Sequence, residues 1–506
     1  MRTSSGWKLL LFVLVGIVGA LLAAPTWAAY QGPADLVFVE TGEAASLDPL
    51  RDLTVAAAGI NVHVFDQLVD YEGPTLKLVP KLALSWDNPS PVQWRFKLRQ
   101  GVRFHDGSEF TAEDVKWTFE VAGDPQSLRK MYVTDIDKTE VVDKHTVIVT
   151  TKKPVGNMLA TLAQMYILPK QAYQKMGAEA FGKSPIGTGR YKVVQWDKGQ
   201  RLIMEANDQY WGGKVEPKRL IVRPISEPTT RVAELRTGNA HIVKGVPVEM
   251  IAELEKDPVA TVVPAKGIRQ VYYPLNTTKK PFDDVRVRRA LNYAVDRDAI
   301  VKYIMNGRGE VRNGPLNPRQ WGFNPNAKGY EYNPELAKRL LTEAGYPNGV
   351  DVVWNITRGV SVKDVEIAEA FSNQFAKVGV RVKLNVLESG TLLQKYYAGD
   401  FMASVTTWSL SSDPDIIYTG LRIFSPTSKW YHNPAVDKLM DEGRVSVDPA
   451  KRLKIYQELY QVLIDDAPWL MIHAQDENYG VNRKVNWKPY PFLGIGGNTY
   501  FIPMGE

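Results

Sequence analysis

The 506-residue chain contains no cysteine. Disulfides and thiolate metal sites are therefore excluded, and no cysteine is present to carry a lipid after a leader. Histidine is scarce: the six, at 63, 105, 145, 241, 432 and 473, are scattered, with no second histidine three or four residues away. Neither His-Glu-x-x-His nor the Gly-x-Ser-x-Gly nucleophile elbow occurs. No run of basic residues and no basic stripe with aromatics is present, which removes the footprint of nucleic-acid binding. After residue 22 no stretch is apolar enough to span a bilayer, and no low-complexity linker interrupts the chain.

What is present begins with a secretory leader at residues 1–28. Arg2 and Lys8 give a basic start, Leu9 to Leu22 an apolar core, and Thr26-Trp27-Ala28 a small-residue cleavage context. Pro25 ends the apolar run early, so a cleaved leader is expected rather than a retained anchor. The formal charge of +6 falls to +4 when Arg2 and Lys8 leave, because the leader carries no acid. With 44% hydrophobic residues, the remainder is long enough for two or more compact cores.

From Pro80 to Phe119, Trp94, Phe96 and Leu98 alternate with polar residues, the period of a half-buried strand. Asp106-Gly107 supplies a turn, and Thr111 with Asp114 predicts a capped helix start. Leu36–Val39 and Leu220–Ile225 are further strands, and Val141–Thr150 a hairpin around Asp143-Lys144. The second half alternates amphipathic helices with short strands, an α/β pattern. Helices are expected over Asp284–Ile304, from Pro334 behind the Asn333 cap to Gly345, over Val365–Val378 and over Pro449–Asp465; Val380–Val386 is a strand. The apolar stripe of the last helix is Leu453, Tyr456, Tyr460, Leu463 and Ile464.

Gly177–Ser184 matches the phosphate-loop pattern G-x-x-x-x-G-K-S to the letter. A phosphate loop must leave a strand and open a helix. Here Pro169–Met176 reads as helix and Pro185 follows at once, so the match is a surface loop.

The wording of Pro80–Phe119 resembles the signature segment of the family 5 extracellular solute-binding proteins, receptors of bacterial ABC importers. Further matches run in family order: SPIGTGRY at 184–191, VRRALNYAVDR at 287–297, YNPELAKRLLTEAGYPNG at 332–349, WSLSSDPD at 408–415, and NPAVDKLMDEGR through APW at 433–469. The resemblance implies an α/β, type II periplasmic binding protein fold with two lobes, a hinge and an interlobe cleft. It places residues 29–66, 185–268 and 476–506 in lobe I, an inserted subdomain at 67–184, and lobe II at 269–475. It implies a monomeric, non-lipidated periplasmic receptor without cofactor or metal, delivering a solute to inner-membrane permease subunits.

A short peptide is the first expectation for that solute, with an opine, oligosaccharide, nickel complex or aromatic compound as alternatives. In peptide receptors of the family, an acid shortly after the tryptophan grips the ligand's α-ammonium; here Leu410 to Ser412 occupy those places and the acids come later, at Asp413 and Asp415. Either Asp413 takes the role or the ligand lacks an α-ammonium; alternatively both acids only form a turn and cap a helix near Ile416. The candidate ligand residues are Trp408, Ser411, Asp413, Asp415, Tyr418, Arg422, Gly187, Thr188 and Gly189. Gly187-Thr188-Gly189 fits either a tight turn needing positive φ or a close backbone approach to ligand. Trp430 and Tyr431 join Trp408 and Tyr418 as an aromatic group of either core or cleft. A hydrolase on the same fold would need a nucleophile or metal site, and none is assembled in sequence; a periplasmic chaperone would bind weakly and promiscuously.

Overall fold

A computed structural model describes residues 32–72, 76–266, 269–358, 361–408, 413–415, 418 and 429–489. The leader lies outside the described residues, and among these no helix is long and apolar enough to cross a membrane.

Seven strands form a mixed sheet in the order Ala260–Ala265, Glu477–Asn482, Ile242–Lys244, Asp35–Glu40, Arg219–Pro224, Arg201–Ala206 and Tyr191–Asp197. The central strand, Asp35–Glu40, runs parallel to both neighbours. Its consecutive Phe38 and Val39 point to opposite faces, yet both are fully buried, in two separate cores. That is why Leu-Val-Phe-Val reads as a continuous apolar run rather than an alternation.

Residues 83–151 add a four-stranded antiparallel sheet, Ala83–Ser90, Gln93–Leu98, Thr146–Thr151 and Ile136–Asp143. Trp94, Phe96 and Leu98 face its core as the alternation predicts, with Val115 and Phe119 from the helix Ala112–Ala122. That helix starts where the sequence places it, with the Asp114 carboxylate accepting from the Thr111 N–H at 2.9 Å.

The second half builds an antiparallel sheet in the order Gly309–Val311, Trp469–Gln475, Gln270–Pro274 and Thr406–Trp408. Beside it the parallel pair Val350–Thr357 and Val380–Leu387 is bridged through Ala403. Helix Pro334–Glu343 has Asn333 accepting from the Leu336 N–H, and Gly345 follows at φ +92°. The stretch 284–304 departs from expectation: the helix stops at Tyr293, and a new start capped by Asp296 leads through Arg297–Ala299 into a π-helical turn, Ile300–Ile304. Buried Arg297 causes the break, because its guanidinium takes the Asn292 carbonyl at 2.9 Å and the Met471 carbonyl at 2.6 Å. In helix Pro449–Asp466, Arg452 rather than Leu453 is the buried residue of its turn.

The chain passes between the seven-stranded sheet and the four-stranded sheet of the second half twice, from Ala265 to Gln270 and from Gln475 to Glu477. The two crossings lie side by side, with the Gln475 N–H donating to the Arg269 carbonyl at 2.9 Å.

Candidate functional site

At these crossings a cavity of about 300 Å³ is lined from both sides: Gly245 to Glu249 and Glu477-Asn478 with the first sheet, Val362, Lys363 and Gln475 with the second. Lys266 on one crossing pairs with Asp476 on the other at 2.7 Å. Lys363 approaches Glu249 at 3.8 Å, and the Val362 N–H donates to Gln475 Oε1 at 3.1 Å. Burial raises the Asp476 and Glu477 carboxyls, opposed by the hydrogen bond and charge of Lys266 at the first and by the charge of Lys244 at the second. Sequence reasoning missed all of these residues, since the pairings join positions more than 110 residues apart and carry no motif.

A larger, mostly apolar chamber of about 400 Å³ lies between residues 71–160 and the second half, lined among others by Leu76, Trp94, Leu159, Trp321, Asp413 and Arg452. Its floor decides the role of Asp413. Arg452 donates to Asp413 through Nη1 at 2.6 Å and Nη2 at 2.8 Å, and its guanidinium stacks 4.9 Å from both Trp321 and Tyr456. Asp413 also accepts from the Asp415 N–H at 3.0 Å. The expected ammonium grip is thus corrected: this carboxylate is buried and held in a bidentate pair.

Asp415 is likewise structural. It is 2% exposed and accepts from Tyr456 Oη at 3.0 Å, Arg444 Nε at 3.3 Å and Asn157 Nδ2 at 2.8 Å. Burial raises its carboxyl, with Arg444 opposing. Asn157 and Gly156, whose N–H donates to the Arg444 carbonyl at 2.7 Å, tie the 83–151 sheet unit to the second half. Gly156 is required there, because a Cβ would meet the Ser446 carbonyl and the Arg452 guanidinium. Arg452 joins Tyr456 and Leu459 on the buried face of this helix, a place the stripe read from Leu453 did not reveal.

Among the described residues Thr406–Trp408 is an edge strand, with Trp408 opposite Gln270. The side chain of Trp408, and Ser411 and Arg422 altogether, fall outside the described residues. Tyr418 is corrected from cleft to core: it is fully buried, its ring 6.2 Å from Tyr456. Trp430 and Tyr431 are 3% and 4% exposed in the same cluster.

The 187–189 segment is a backbone joint. Neither glycine has positive φ, correcting the tight-turn expectation. A Cβ on Gly187 would strike the Val64 carbonyl, and on Gly189 the His63 carbonyl. Thr188, fully buried, donates to Asp66 Oδ2 at 3.0 Å, where Trp211 Nε1 donates at 2.9 Å. His105 fastens both ends: its ring nitrogens lie 3.2 Å from the Gly187 nitrogen and 2.9 Å from the Gly189 carbonyl, and burial lowers its pKa to about 4. Gly177–Ser184 follows the helix Lys170–Met176, so no strand leads into it.

The family model for bacterial extracellular solute-binding proteins, family 5, matches residues 77–428. The glutathione-binding protein GsiB of Pectobacterium atrosepticum is 31% identical over 486 residues, 92% of each chain. The heme-binding protein A of Haemophilus influenzae is 30% identical over 444 residues, 81% of each. Among solved structures, the ABC transporter-associated periplasmic binding protein DppA of Helicobacter pylori, in complex with the peptide STSA, superposes with a TM-score of 0.75 at 28% identity, covering 94% of this chain and 99% of that one. The family model and these relatives show that this chain belongs to the family 5 bacterial extracellular solute-binding proteins.

Proposed function

We propose that the protein is the periplasmic receptor of an ABC importer for a short peptide, enclosing it between lobe I (29–66, 185–268, 476–506) and lobe II (269–475). The observation that carries this reading is the cavity at the paired crossings, lined by residues from both sheets. Two adjacent crossings confine relative motion to a hinge, and solute binding selects the closed arrangement. The edge strand Thr406–Trp408 offers backbone groups to an extended ligand. The DppA structure with a bound peptide and the glutathione-binding relative support the peptide class. The leader is cleaved after Ala28, the mature chain is a free monomer in the periplasm, and permease subunits of the inner membrane receive the closed form.

Mass spectrometry of whatever co-purifies with the mature protein, followed by calorimetric titration of that compound, tests the reading. A peptide bound one to one is expected; a sugar, opine or metal complex would retire the peptide assignment.

A further inference from the structure

The acid expected after the tryptophan to meet an ammonium is absent, and Asp413 is committed to Arg452. A different carboxylate stands in the cavity at the crossings. Glu477 lines it, is half-buried, and makes no side-chain hydrogen bond or ion pair among the described residues. Next to it Asn478, 4% exposed, also lines the cavity and has no donor on its side-chain carbonyl; Oδ1 of Asp476, 2% exposed, has none either. Two buried acceptors without donors, beside a half-buried carboxylate, are a costly arrangement in a folded protein unless something donates to them.

The neighbouring cations do not fill that role. Lys244 is held by Glu40 at 3.3 Å, and Arg231 by the carbonyls of Ile225, Ser226 and Gly245. Arg269 donates to Thr407 Oγ1 at 3.2 Å and adds its charge near Glu477 without a hydrogen bond to it among the described residues. We propose that this cavity binds the ammonium group of the captured solute, with Glu477 as counter-ion and the Asn478 side-chain carbonyl as second acceptor. The assignment rests on the receptor reading above. An ammonium supplies three donors on a compact charge, matching convergent acceptors, and its volume suits an opening of about 300 Å³ at the small end of ligand sites. Because the acceptors sit on a crossing, the same contact that recognises the solute favours the closed lobes.

The test uses chain stripped of solute by unfolding and refolding, with Ala-Phe and N-acetyl-Ala-Phe as probes in calorimetry. Wild type is expected to bind the free amine about tenfold or more tighter than the acetylated peptide, the scale of a desolvated charge-assisted bond. Glu477→Gln should shrink that preference to about threefold or less while leaving the acetylated peptide within about twofold. Asn478→Ala, a second and milder variant, should reduce the preference part-way. An unchanged preference in folded Glu477→Gln would overturn the assignment, as would a co-purified solute without a basic nitrogen; the receptor reading would survive both results. If wild type binds no solute of any kind, both fall together.

Discussion

Asp413 and Arg452, 39 positions apart, form a buried bidentate ion pair with side-chain exposures of only 8% and 5%. Removing one partner leaves the other charged in a low-dielectric site. Asp413→Ala is expected to destabilise the fold by about 3–5 kcal/mol in urea unfolding. Replacing both partners, as in Asp413→Leu with Arg452→Met, should recover most of that loss. A stable Asp413→Ala that loses ligand affinity would return Asp413 to the binding site.

Gly156 tests the tie between the 83–151 sheet unit and the second half. Gly156→Ala forces the new methyl against the Ser446 carbonyl, so the loop must withdraw and Asn157 leaves Asp415. The expected result is a ligand affinity lowered about tenfold, one lost hydrogen bond to a charged group, with little change in the spectrum of the fold. Unaltered affinity and unaltered protease sensitivity near residue 156 would show that the tie does not matter to closure.

The joint at 187–189 predicts the opposite pattern. Thr188→Val removes a donor from buried Asp66 and should cost about 1–3 kcal/mol of stability. The folded fraction should bind solute with wild-type affinity. A selective loss of affinity would reinstate the segment as a ligand contact.

Acid should weaken the protein through His473. Burial holds this ring neutral, with its pKa lowered to about 4 from 6.5. Between those values the unfolded state binds the extra proton, so stability falls as pH drops from about 6.5 toward 4. The loss approaches on the order of 2–3 kcal/mol for a fully buried ring. Urea midpoints at pH 7 and pH 4.5 measure it, and His473→Phe should shrink the difference, leaving the share of His105, whose ring is also lowered to about 4; an equal slope in wild type and variant would contradict it.

Much of the fold was legible because local signals agreed with tertiary context. The alternation at Trp94-Phe96-Leu98 and the caps at Asn333 and Asp114 each point to what formed. Helix 284–304 was misjudged because its apolar spacing continues past Tyr293, while buried Arg297 demands carbonyls that a continuous helix would keep. The site was less legible. Asp413 and Asp415 draw notice by their place after Trp408, yet their partners, Arg452 and Asn157, are fixed only by helix packing and by a loop far upstream. Glu477 and Asn478 carried no signal, since an acid and an amide on a C-terminal strand become a site only once that strand crosses between sheets.

The most direct measurement of the central claim is small-angle X-ray scattering on solute-free chain before and after adding back the small-molecule fraction released from freshly isolated protein. A receptor that encloses its solute between two lobes predicts a smaller radius of gyration at saturation, reached at one solute per chain. An unchanged radius at demonstrated one-to-one occupancy would contradict closure around the solute.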